Sequence, residues 1–189
     1  MPRRWIARLA LAAVPVVAQA DDGGDSWWAT ATWGNGQRVD IYGVGGVWRP
    51  GGQAEKFGRS DIEWRVQADV MSWVGHPTAT DERVLWDIGL TPMFRWYPGS
   101  DTGKGFFAEG GIGAQILTHT KIGVGYEHWR NFSTAYQFGE RAAIGTTFGP
   151  DDRYEIAVFV QHVSNARIKD PNDGLTYFGV TVRFPLNLP

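Results

Sequence analysis

Between Asp61 and Met71 the chain alternates with a period of two. The even positions are Ile62, Trp64, Val66, Ala68 and Val70, and the odd positions through 69 are Asp61, Glu63, Arg65, Gln67 and Asp69. A strand turns successive side chains to opposite faces, whereas a helix would need apolar residues every three or four positions. This segment is therefore a strand with one wholly apolar face and one charged or amide face.

The same alternation returns along the chain. Val84, Trp86, Ile88, Leu90, Phe94 and Trp96 share a face, opposed by Arg83, Asp87, Thr91 and Arg95. Ala108, Ile112, Ala114 and Ile116 oppose Glu109 and Gln115. Ile156, Val158 and Val160 oppose Glu155 and Gln161, and Phe178, Val180, Val182 and Phe184 oppose Thr181 and Arg183. Weaker segments run from Trp27 to Trp33, Arg38 to Trp48 and Tyr136 to Phe148. The expectation is an all-β chain of about eight antiparallel strands, an even number of the kind that closes an outer-membrane barrel.

A soluble sandwich also alternates, but its polar faces meet water and its apolar faces meet a second sheet. Here the polar faces carry both signs, Glu63 with Arg65 on one strand and Asp87 with Arg95 on another. A barrel of about eight strands has no open lumen, so inward charges must pair with one another. The apolar faces are about ten residues long and tipped with tryptophan, as lipid-facing strands are. The 10 tryptophans among 189 residues fit that reading. The fold class expected is an eight-stranded antiparallel transmembrane β-barrel of the outer-membrane type, occupying residues 21–189. An interior filled by charged side chains disfavours a small-solute channel.

Residues 1–20 read as a signal peptide: Arg3 and Arg4, an apolar stretch from Leu9 to Val17, then Ala18-Gln19-Ala20. No apolar run is long enough for a membrane helix. There are no cysteines, which excludes disulfides and thiolate chemistry, and a net charge of -2 without a long basic run argues against nucleic acid. Two features strain the pattern. Pro92 lies on an apolar strand face and lacks a ladder donor, and the connection Pro50 to Ser60 is long for the periplasmic side. The glycines of Gly43 to Gly52 and Gly110 to Gly113 read as room for curvature and packing. No strand–loop–helix unit surrounds them, as a phosphate loop would require.

Four histidines occur. His76, His119 and His128 fall between strands, and none has a partner at metal-ligand spacing. His162 extends the lipid-facing series Ile156, Val158, Val160, and Ser164 is next on the same face. Residues two apart on a strand lie about 6.6 Å apart along it. That is the minimum arrangement for a base-activated serine. With a periplasmic N-terminus the seventh strand runs outward, so both residues reach the outer-leaflet surface on the lipid side. A nucleophile there meets a lipid ester.

His162-Val163-Ser164-Asn165-Ala166, followed by Pro171-Asn172-Asp173-Gly174, resembles the signature of the PagL family of outer-membrane lipid A 3-O-deacylases. The resemblance implies hydrolysis of the acyl ester at position 3 of lipid A, with lipopolysaccharide of the outer leaflet as partner. It implies a serine-hydrolase mechanism without metal or cofactor, and it allows a homodimer. Carried over, Ser164 is the nucleophile, His162 the general base, and Asn165 helps hold the oxyanion. The family completes its triad with a glutamate near the start of the last strand. Leu175, Thr176 and Tyr177 stand there instead. Asp173 is the nearest carboxylate in sequence, and Glu140, of outward parity on the preceding strand, is the other candidate acid. A barrel that keeps the scaffold without catalysis is the alternative this departure raises.

Overall fold

Each barrel strand is set by its alternation, and closure follows from there being enough of them. In the computed structural model, residues 25–51, 55–57, 60–76, 84–99, 104–125 and 128–186 are described, with backbone alone for 55–57 and 60. The expected signal peptide, 1–20, lies outside these residues. Eight strands make the barrel: β1 Ser26–Gly36, β2 Val39–Arg49, β3 Ser60–Gly75, β4 Val84–Tyr97, β5 Phe106–Leu117, β6 Tyr136–Phe148, β7 Tyr154–Ser164 and β8 Leu175–Leu186. Every neighbouring pair is antiparallel. β8 pairs with β1, while β2 pairs with β3 from Val39 opposite Gly75 to Trp48 opposite Val66. Part of the long Pro50–Ser60 connection is used as an extension, with Glu55–Phe57 pairing back onto the start of β3.

The alternation assigns the two surfaces as expected. Outward, Val44, Val70, Ile88, Leu90, Ile112, Ile144 and Val158 form an aliphatic band. Trp27, Trp64, Trp96 and Phe106 flank it at the end where the strands from β1 begin, and Trp33, Trp86 and Tyr136 at the other. An apolar band between two aromatic girdles is the surface a bilayer requires. At Pro92 the β4–β5 ladder skips from Leu90–Ala114 to Met93–Gly111, then resumes in unchanged register. The missing donor therefore costs a local gap and no slip. Gly113 belongs to that gap, since a Cβ there would stand 2.3 Å from the Leu90 carbonyl oxygen.

Inside, the lower half holds charges that neutralise one another. Glu155 accepts from Arg65 at 2.9 Å, Arg95 at 2.7 Å and Arg183 at 3.1 Å. Glu109 accepts from Arg95 at 2.6 Å and also pairs with Arg183, while Glu63 pairs with Arg65. Three guanidinium groups thus meet three carboxylates, which is how ions survive without water. Higher up, Arg141 donates to Gln161 at 3.1 Å and to Thr181 at 2.9 Å.

The upper mouth is closed by a segment whose structure the alternation did not predict. The connection after β5, expected as loop and carrying His119 and His128, contains a hairpin of Lys121–Gly125 against His128–Asn131. His128 thus starts a short strand. Ile122, Val124 and Phe132 are buried in one cluster with Trp73, Leu117, Leu175 and Tyr177. The Phe132 and Tyr177 rings stand edge-on to Trp73 at 5.7 and 5.9 Å. This apolar plug is what the loop after β7 rests on.

Candidate active site

His162 and Ser164 end β7 on its outward face, half-buried, beside an open depression of about 410 Å³. Ala166, Arg167, Asn172, Asp173 and Gly174 complete its lining. All seven residues belong to β7 and the β7–β8 loop. Sequence neighbours therefore build the site, and the rest of the barrel holds them still.

Antiparallel pairing sets the neighbours of His162: Thr176 on β8 and Glu140 on β6. The Nδ1 atom of His162 meets Thr176 Oγ1 at 2.8 Å. Thr176 is itself fixed, its N–H donating to Gln37 Oε1 at 2.9 Å from the β1–β2 turn. Gly174 lies against the other side of the imidazole. Its φ is +55°, and a Cβ there would stand 3.0 Å from His162 Cε1 and 3.4 Å from Nε2. Only glycine satisfies both the left-handed backbone and that approach.

Neither carboxylate expected as the acid occupies Nδ1. One Asp173 oxygen accepts the Asn131 N–H at 2.7 Å, and the Asp173 N–H donates to Asn131 O at 3.1 Å. The turn residue is thus spent on tying the loop to the plug hairpin. Glu140 is exposed beside His162 on β6, on the side away from Thr176, and makes no hydrogen bond to the imidazole. The group that meets Nδ1 in this geometry is the neutral Thr176 hydroxyl.

Asn165, expected to help hold the oxyanion, has its side chain engaged by the loop and the plug. Asn165 is buried, and its Nδ2 donates to Phe132 O at 2.9 Å and Lys169 O at 2.7 Å. Both amide hydrogens are committed, so the side chain anchors the loop to the plug. Other donors face the depression. The Asn165 N–H donates to Asn172 Oδ1 at 3.1 Å, which leaves Asn172 Nδ2 without a partner among the described residues. Residues 165–168 form a tight turn closed by Ile168 N to Asn165 O at 3.0 Å, with φ of +52° at Ala166 and +62° at Arg167. Two consecutive L residues in the left-handed region are costly, and such strain gathers at functional sites. The turn leaves the N–H groups of Ala166 and Arg167 without a partner among the described residues, next to the serine.

The loop is stitched to the plug elsewhere too. Arg130 Nη1 donates to Asp173 O at 3.0 Å and Gly174 O at 2.5 Å, and Ser133 Oγ donates to Pro171 O at 2.5 Å. Partial burial lowers the Arg130 pKa from its ordinary value, opposed by the charge of Asp173. Ser164 Oγ has no hydrogen-bond partner among the described residues, so it shares a face with His162 without a hydrogen bond to it. Sequence reasoning singled out His162 and Ser164. It missed Thr176, Gly174 and the plug as supports, because their roles depend on register and on a hairpin that follows no barrel alternation.

The sequence model of the family described as Lipid A 3-O-deacylase (PagL) matches residues 16–185. A lipid A deacylase PagL of Bordetella bronchiseptica is 32% identical over 189 residues, covering 97% of this chain and 94% of that protein. A lipid A deacylase PagL of Pseudomonas aeruginosa is 27% identical over 99 residues, covering 52% of this chain and 53% of that protein. A crystal structure of the outer membrane enzyme PagL superposes with a TM-score of 0.66 at 22% identity, covering 86% of this chain and all of that one, and so shares the fold. With nearly its whole length accounted for, the chain belongs to the lipid A 3-O-deacylase (PagL) family of outer-membrane hydrolases.

Proposed function

We propose that the chain hydrolyses the 3-O-linked acyl ester of lipid A with Ser164 as nucleophile and His162 as general base. The observation that carries this is the shared outward face of His162 and Ser164 at the end of β7, opening on a depression on the outer surface of the barrel. With the proton on Nδ1 donated to Thr176 Oγ1, Nε2 keeps the lone pair that accepts the serine proton. The Ser164 oxygen attacks the acyl carbonyl, and the backbone N–H groups of Ala166 and Arg167 with the Asn172 amide, all lining the depression, are the donors available to the oxygen on which charge develops. One such donor typically contributes about 3 kcal/mol to the transition state. Collapse expels the sugar 3-hydroxyl, which takes the proton back from His162. Water then releases the 3-hydroxy fatty acid from Ser164 by the same relay. The described residues of one chain supply every group, so the reading requires no second copy.

Wild type and Ser164→Ala are incubated with lipopolysaccharide and the lipid A read by mass spectrometry. Wild type is expected to lose one 3-hydroxyacyl chain and the variant none. Equal release from both, or none from wild type, overturns the reading. The neutral Thr176 favours a second reading, a barrel that keeps the scaffold without turnover. Labelling of Ser164 by a serine-directed probe, abolished in His162→Ala, separates the two.

A further inference from the structure

Arg167 has a role beyond its backbone. Its side chain is exposed and lines the depression that holds His162 and Ser164. The backbone beneath it is fixed, because the 165–168 turn is pinned through the Asn165 side chain to Phe132 O and Lys169 O. Its φ of +62° is one that an L residue adopts at a cost. The ion pairs of the described residues leave Arg167 out, whereas the interior arginines Arg65, Arg95 and Arg183 are all matched to carboxylates. The carboxylate on the same depression, Asp173, is engaged with the Asn131 N–H. An exposed guanidinium that takes part in no ion pair among the described residues, three residues past the nucleophile, is free to meet an anion, and its planar fork suits phosphate.

We infer that Arg167 binds a phosphate group on the glycolipid whose ester meets Ser164, so that two contacts select which acyl chain is cut. This rests on the deacylase reading and adds the feature of the substrate that is recognised. One contact at the carbonyl leaves the sugar free to pivot. A second at a phosphate fixes the ring and presents one ester to the serine.

The test uses the full barrel in detergent micelles, with bisphosphorylated lipid A and the same lipid stripped of phosphate. Turnover is measured for wild type, Arg167→Ala, Arg167→Lys and Lys169→Ala, the last a cation of the same loop outside the depression. Binding of both lipids is measured in a Ser164→Ala background, with and without Arg167→Ala. Wild type is expected to prefer the phosphorylated lipid by roughly tenfold in KM, the scale of one charged contact. Arg167→Ala is expected to erase that preference in both KM and binding, Arg167→Lys to keep part of it, and Lys169→Ala to keep it. An unchanged preference in Arg167→Ala, or an equal loss in Lys169→Ala, overturns the anchor. Inorganic phosphate is expected to compete only while Arg167 is present, and competition that persists in Arg167→Ala also overturns it. A wild type without turnover sinks the deacylase reading, while the binding arm still decides the anchor.

Discussion

The Nδ1 atom of His162 lies 2.8 Å from Thr176 Oγ1, across the β7–β8 pair that sets the two residues opposite each other. A hydroxyl in that place orients the imidazole, and because it can donate or accept it suits either tautomer. It carries no charge, so it does not stabilise the imidazolium formed when the serine proton is taken.

Adding the charge should therefore help. Thr176→Glu is expected to raise kcat roughly tenfold or more, and Thr176→Val to lower it by about tenfold through loss of the orienting bond. Both are read as initial rates of 3-hydroxy fatty acid release. A Thr176→Val enzyme as fast as wild type would show that the contact does not orient the base.

Gly174 lies close to the same imidazole. Gly174→Ala is expected to lower kcat by roughly tenfold, because the added Cβ would stand 3.0 Å from His162 Cε1 and the ring must give by a few tenths of an ångström. The barrel should still form, as read by its heat-dependent gel shift. Unaltered kcat would mean that the ring tolerates the displacement.

Asp173 and Glu140 are separated by variants that keep shape and remove charge. Asp173→Asn retains an oxygen for the Asn131 N–H and is expected to stay within about threefold of wild type. Asp173→Ala loses that tie and should fall further. Glu140→Gln is expected to leave the rate near wild type. A collapse of activity in Asp173→Asn or Glu140→Gln would identify that carboxylate as the acid after all.

Far from the site, Glu155 answers three arginines. Glu155→Ala is expected to destabilise the barrel by about 3–5 kcal/mol, since the buried guanidinium groups lose their shared partner. Urea unfolding of the protein in micelles measures this, and a midpoint equal to that of wild type would contradict it.

How much of this was legible beforehand differs from residue to residue. The faces of Glu63, Arg65, Asp87, Arg95, Glu109, Glu155 and Arg183 were readable because strand parity is local, and a closed barrel converts parity directly into inside and outside. The outward placement of His162 and Ser164 followed from the same rule. The role of Thr176 was not readable, because pairing register depends on how the 165–174 loop closes. The plug hairpin escaped notice because it is short, packs into the mouth and has no lipid face to impose alternation.

By itself, then, the sequence determined the barrel, its lipid-facing surface and the pair of residues that face the lipid at the rim. A side-chain period of two survives any detail of packing. Only the tertiary structure decided what surrounds that pair: the hydroxyl at Nδ1, the glycine beneath the ring, and the conversion of Asn165 and Asp173 into anchors for the loop. Those contacts join residues distant in sequence, such as Phe132 with Asn165 and Gln37 with Thr176, and they exist only once the strands have closed around the plug.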